Sequence, residues 1–152
     1  MTPLARDEVE VVPTSLPLDS RFVLDTSAVF CLLNDEPGAD RVESILQAAR
    51  AEPPQASVLL PFMALMELHY HLLRVHPAET AREILNRVQF WPVVIVESDP
   101  VWRTHAAEVK ATGNLSVADA WMAGLATLRD ALLVHKDPEF DAFQALRVVR
   151  LP

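Results

Sequence analysis

From Arg21 onward the chain alternates two patterns of hydrophobic and polar positions. Short aliphatic, largely β-branched runs are followed by longer segments whose apolar positions recur every three or four residues. The short runs predict strands at 21–24, 57–60, 93–96, 131–134 and 147–150. The longer segments predict helices over 27–33, 39–49, 62–75, 78–88, 99–111 and 117–129. Pro37 with Gly38, Pro77, and Thr112-Gly113-Asn114 mark the breaks between successive helices. Val42, Ile45, Leu46 and Ala49 form one helical stripe, and Ile84, Leu85 and Val88 another. Trp102, Ala106 and Val109 share a face, as do Ala120, Gly124 and Leu128, where Gly124 leaves room for a close neighbour. Strand and helix alternating in this way predict an α/β fold whose central sheet, of four to five strands, is mostly parallel and flanked by helices.

Residues 1–20 do not continue the pattern. They hold three prolines and four acids (Asp7, Glu8, Glu10, Asp19) against Arg6, and they read as a disordered extension before a single domain over 21–152. At 152 residues and 51% hydrophobic, the chain is long enough for one real core. No apolar stretch approaches the roughly 18 residues needed to cross a bilayer, and the N-terminus lacks a signal-like apolar region, so a cytoplasmic protein with no membrane association is expected. The single Cys31 sits within Ala28-Val29-Phe30-Cys31-Leu32-Leu33 and reads as a buried thiol. A net charge of -8 argues against a broad basic surface, but the extension and four candidate ligand acids carry most of it, which leaves RNA open as a substrate. With only three glycines, at 38, 113 and 124, no Gly-rich phosphate cradle can form.

Four acids interrupt this picture. Glu67 is the only ionisable group in Phe62-Met63-Ala64-Leu65-Met66-Glu67-Leu68, a segment otherwise apolar enough to be core. Asp25 follows the first strand, Asp119 begins the last helix, and Asp137 follows the fourth strand. Each Asp has a structural alternative. Asp25 can cap a helix, Ser116-Val117-Ala118-Asp119 loosely matches a capping box, and Asp137-Pro138 is a strong cap with Pro at the first position. Glu67 has an alternative too, a helix-surface pairing with His71 one turn on, whereas His69 projects from roughly the opposite side. Joint placement favours function. In a parallel sheet the carboxyl ends of the strands form the ligand crevice, and all four acids can point into it. Packed together they repel one another unless a hard divalent cation neutralises them, and oxygen-only ligands select Mg²⁺ or Mn²⁺. Neither a Ser-His-Asp nor a Cys-His arrangement competes as nucleophile, and Lys136, Arg129 and Arg103 are candidate phosphate contacts.

The motifs Val23-Leu24-Asp25-Thr26-Ser27-Ala28 with Glu36-Pro37-Gly38-Ala39, Met66-Glu67-Leu68, Leu115-Ser116-Val117-Ala118-Asp119-Ala120 and Lys136-Asp137-Pro138-Glu139-Phe140 occur in that order. The stretch 21–151 thereby resembles a PIN domain, and most closely the VapC-type toxin ribonucleases of toxin-antitoxin modules. The resemblance implies a PIN-like three-layer sandwich in which Asp25, Glu67, Asp119 and Asp137 are the catalytic, metal-binding acids, supported by Ser27 and Ser116. It further implies Mg²⁺- or Mn²⁺-dependent hydrolysis of RNA phosphodiester bonds, a cognate antitoxin covering the crevice, and a homodimer. His135 departs from the family's frequent Thr or Ser, and the first Asp lies further from the N-terminus than is usual in the family. Two other readings stay open: a PIN nuclease for RNA processing or DNA without a toxin role, and a catalytically silent binding module.

Overall fold

The computed structural model describes residues 20–152. The extension expected over 1–20 lies outside the described residues except for Ser20, which opens the first strand. The chain runs β1 (Ser20–Leu24), α1 (Thr26–Leu33), α2 (Ala39–Arg50), β2 (Ala56–Pro61), α3 (Phe62–Val75), α4 (Ala78–Gln89), β3 (Val94–Val96), α5 (Pro100–Thr112), α6 (Val117–Leu128), β4 (Leu132–His135) and β5 (Val148–Arg150). A one-turn 3-10 helix, Pro138–Ala142, lies between β4 and β5; the periodicity did not predict it. The other elements match their expected ranges to within a residue or two.

All strand pairings are parallel, and the order is β3-β2-β1-β4-β5. β1 is therefore central, which accounts for its continuous apolar run: Phe22, Val23 and Leu24 are wholly buried. Chain order reverses on either side of β1, so β1 and β4 are neighbours although more than a hundred residues separate them. The carboxyl ends of these two strands frame the switch point of the sheet, where such folds place their ligands.

Helix packing follows the predicted stripes with two departures. Trp102, Ala106 and Val109 are buried as expected, but Leu128 is 39% exposed at the end of α6. On α3, Met66 is 53% exposed and Tyr70 and Leu73 are also exposed, so the segment around Glu67 is not all core. These three residues recur at four- and three-residue spacing along the outer face of α3, while Ala64, Leu68 and Leu72 take the inner face. Gly124 meets the need for close approach, since a Cβ there would lie 3.1 Å from Ala106 Cα on α5. Gly38 caps α2 in the left-handed region at φ 101° and leaves room for Leu151 and Pro152.

Candidate active site and metal centre

Asp25 leaves β1 and caps α1. Its Oδ2 accepts from the Ser27 backbone N–H (3.1 Å) and from the Ser27 hydroxyl (2.5 Å). The Ser27 Oγ in turn accepts from the Lys136 backbone N–H at 3.0 Å, so one hydroxyl joins the exits of β1 and β4. Asp25 is thus both a cap and a crevice acid, and the two readings do not compete. It is 4% exposed, and burial pushes its carboxyl up to about 6, aided by the charges of Glu67 and Asp137 and opposed by Ser27.

Asp119 sits in the first turn of α6 at 8% exposure, behind the N-cap Ser116, whose Oγ accepts from the Asp119 N–H (3.1 Å). Burial is the main cause that raises its carboxyl to about 8; a hydrogen bond to the Glu139 carboxyl and the charges of Asp25 and Asp137 add to it, and Ser116 opposes. Asp137 caps the 3-10 helix through Oδ1, which accepts from the Glu139 N–H at 3.0 Å. That turn carries Glu139 back over the crevice. Carboxylate oxygens of Asp119, Asp137 and Glu139 lie within 4.8 Å of one another.

Of the four expected acids, Asp119 and Asp137 therefore meet directly, and Asp25 lies close enough for charge to couple it to both. Glu67 stands outside the tightest group. It is half-buried on α3 and accepts from the Thr26 hydroxyl at 2.8 Å, on the side of Asp25. His71 does not pair with it: its ring lies edge-on to Phe30 (5.7 Å) and stacked on Tyr70 (4.2 Å). Sequence reasoning missed Glu139 as a member and Thr26 as the partner of Glu67. The only signal for Glu139 was its place two residues after a capping Asp, and a helical turn has to form before the two carboxylates face one ion.

The remaining candidates distribute unevenly. Lys136 Nζ pairs with Glu36 (3.7 Å) and donates to the Pro37 carbonyl (3.3 Å), tying the α1–α2 turn to the site's rim. Arg129 lies at the far end of α6 from Asp119, roughly 15 Å away along the helix. Arg103 lines a groove between α5 and α6. His135, the departure from the family's frequent Thr or Ser, is wholly buried against Phe140 (4.9 Å), and burial lowers its pKa. Cys31 is buried and its thiol donates to the Pro37 carbonyl (3.4 Å). A hydroxyl–imidazole–acid row, Thr127–His105–Glu108, does form between α5 and α6, at 2.7 and 3.6 Å. The Thr127 hydroxyl donates to the Ala123 carbonyl (3.0 Å), so it joins the helices instead of serving as a nucleophile.

The donor set suits a hard divalent cation. Every candidate ligand is a carboxylate oxygen, three of them are in mutual reach, and burial raises the carboxyls of both Asp25 and Asp119, with the charge of Asp137 adding to each. Among the described residues no thiol or imidazole joins the group.

Residues 22–146 match the PIN domain family model, and the chain belongs to that family. Among solved structures it is similar to a chain from VapBC2 of Rickettsia felis bound to a promoter DNA fragment, with a TM-score of 0.70, 14% identity, and 87% and 99% of the two chains covered. It is also similar to VapBC-5 of Mycobacterium tuberculosis, a member of the VapBC family of toxin-antitoxin systems (0.59, 18%, 89% and 100%). A third similar structure is VapC20 of the same organism, a Sarcin-Ricin loop cleaving toxin (0.59, 15%, 80% and 93%). At these identities the likeness shows the fold. No curated protein matches the chain in sequence. Among the described residues no helix is long and apolar enough to cross a membrane.

Proposed function

We propose that this chain is a divalent-cation-dependent endoribonuclease and the toxin of a toxin-antitoxin pair, working in the cytoplasm. The observation that carries the reading is the convergence of Asp119, Asp137 and Glu139 on one point beside the buried Asp25, at the switch point of a PIN fold. Asp25, Asp119, Asp137 and Glu139 would hold the cation, Mg²⁺ or Mn²⁺, with Glu67 at the margin. When bound, such an ion neutralises the cluster and supplies a water acidic enough for in-line attack on a phosphodiester. Burial leaves Asp119 holding a proton near neutral pH in the free protein, and binding of a cation there would release it. Ser27 keeps Asp25 aimed and partly offsets the penalty of its burial. Glu67, fixed by Thr26, would orient a water or substrate hydroxyl.

RNA as substrate and a covering antitoxin are supported by the similar structures: VapC20 is a Sarcin-Ricin loop cleaving toxin, and VapBC-5 is a member of the VapBC family of toxin-antitoxin systems. A homodimer is part of the same reading. The test is cleavage of a structured RNA by the purified chain with Mn²⁺, with EDTA, and by Asp25→Asn. Cleavage should require the cation and vanish in the variant. Equal cleavage by Asp25→Asn, or in EDTA, refutes the acidic site as the catalytic centre.

A further inference from the structure

A second concave feature lies away from the acidic crevice. Between α5 and α6 runs a groove of about 270 Å³ with Ala106, Ala120, Val117 and Trp121 as its apolar lining. Arg103 and Lys110 flank it from α5. These two stand seven residues apart, about 10.5 Å along one helix face. Both are exposed, and neither side chain has a hydrogen-bond or ion-pair partner among the described residues. At 100° per residue, Ala120 and Trp121 lie within about 60° of Val117 around α6, whereas Asp119 is about 160° away. The groove therefore faces away from the catalytic crevice, and its occupant does not enter the cation site.

The chemistry of the groove asks for a segment that interleaves aliphatic side chains with carboxylates. The chain contains one: Asp7-Glu8-Val9-Glu10-Val11-Val12. Reach is sufficient. Arg21 Nη1 donates to the Arg129 carbonyl at 3.2 Å, so the chain enters the fold at the C-terminal foot of α6. Trp121 and Val117 lie eight and twelve residues up that helix from Arg129, about 12 to 18 Å. Residues 13–19 span up to about 25 Å when extended. We propose that this groove seats the chain's own residues 7–12, with valines on the apolar lining and acids against Arg103 and Lys110. Tethering places the segment at an effective concentration of about millimolar, so a weak contact is enough to populate the docked state.

Amide hydrogen exchange on the full chain tests this. In low salt, the amides of residues 8–12 should exchange several-fold more slowly in wild type than in Arg103→Glu/Lys110→Glu. Adding Glu8→Lys/Glu10→Lys to that variant should restore the protection, and half-molar salt should erase the difference. Because Arg103 and Lys110 are exposed, the charge reversals leave the core untouched. Identical exchange of residues 8–12 in wild type and Arg103→Glu/Lys110→Glu overturns the assignment. So does a double variant whose tail exchange is unchanged while its RNA binding weakens, which identifies the groove as a nucleic-acid surface.

Discussion

Replacing Asp119 by Asn removes one charge from the crevice while keeping its shape, and its effect on stability depends on pH in a way that burial dictates. The Asp119 carboxyl lies at about 8 in the metal-free fold and at its ordinary 3.8 when unfolded. Between those values the native state keeps a proton that the unfolded chain has lost, so native stability falls as pH rises. The contribution is fully present below about pH 4 and is lost by the time pH passes about 8. At about 1.4 kcal/mol per pH unit the ceiling is about 5 to 6 kcal/mol. Asp119 faces other acids at a crevice whose rim, at Glu139, is exposed to solvent screening; we expect roughly 2 to 3 kcal/mol. Asn resembles the protonated acid at every pH. In urea melts with EDTA, Asp119→Asn should exceed wild type by no more than about 1 kcal/mol at pH 4.5 and by about 2 kcal/mol or more at pH 8. Saturating Mn²⁺ should then stabilise wild type by about 2 to 3 kcal/mol and the variant far less. A variant less stable than wild type at pH 8, or a wild type whose stability is flat from pH 5 to 8, refutes this account of the crevice.

Glu67→Gln keeps the acceptor for the Thr26 hydroxyl and removes only charge, so RNA cleavage should fall by about a hundredfold or more with the melting temperature unchanged; wild-type cleavage would exclude Glu67 from the site. Ser27→Ala removes the hydroxyl that lowers the Asp25 carboxyl, so the acidic limb of the pH–activity profile should move to higher pH, with about 1 to 2 kcal/mol lost in stability. An unmoved profile would mean that Asp25 does not set it. Gly38→Ala puts a Cβ 3.0 Å from Pro152 Cδ at a φ of 101°, and a chemical melt should show a loss of about 1 to 2 kcal/mol or more. Wild-type stability would show that the C-terminal residues yield easily.

Most of the elements, their order and the positions of the acids at element boundaries were legible in the chain. Periodicity reports the face each residue presents, and capping chemistry is local: Asp25-Thr26-Ser27, Ser116 to Asp119 and Asp137-Pro138 each announce a turn within a few residues. The strand order was not legible, because hydrophobic runs do not say which strands pair. It took the parallel pairing of β1 with β4 to bring Asp25 beside Asp137 across more than a hundred residues. The arrival of Glu139 over Asp119 likewise depended on a 3-10 turn docking through Phe140, and the exposure of Met66 on which surface of α3 the other described elements leave uncovered. Above all, only the tertiary structure could set the protonation of Asp25 and Asp119. A carboxyl's affinity for its proton is decided by the water it loses and the charges it meets, and both come from residues remote in sequence.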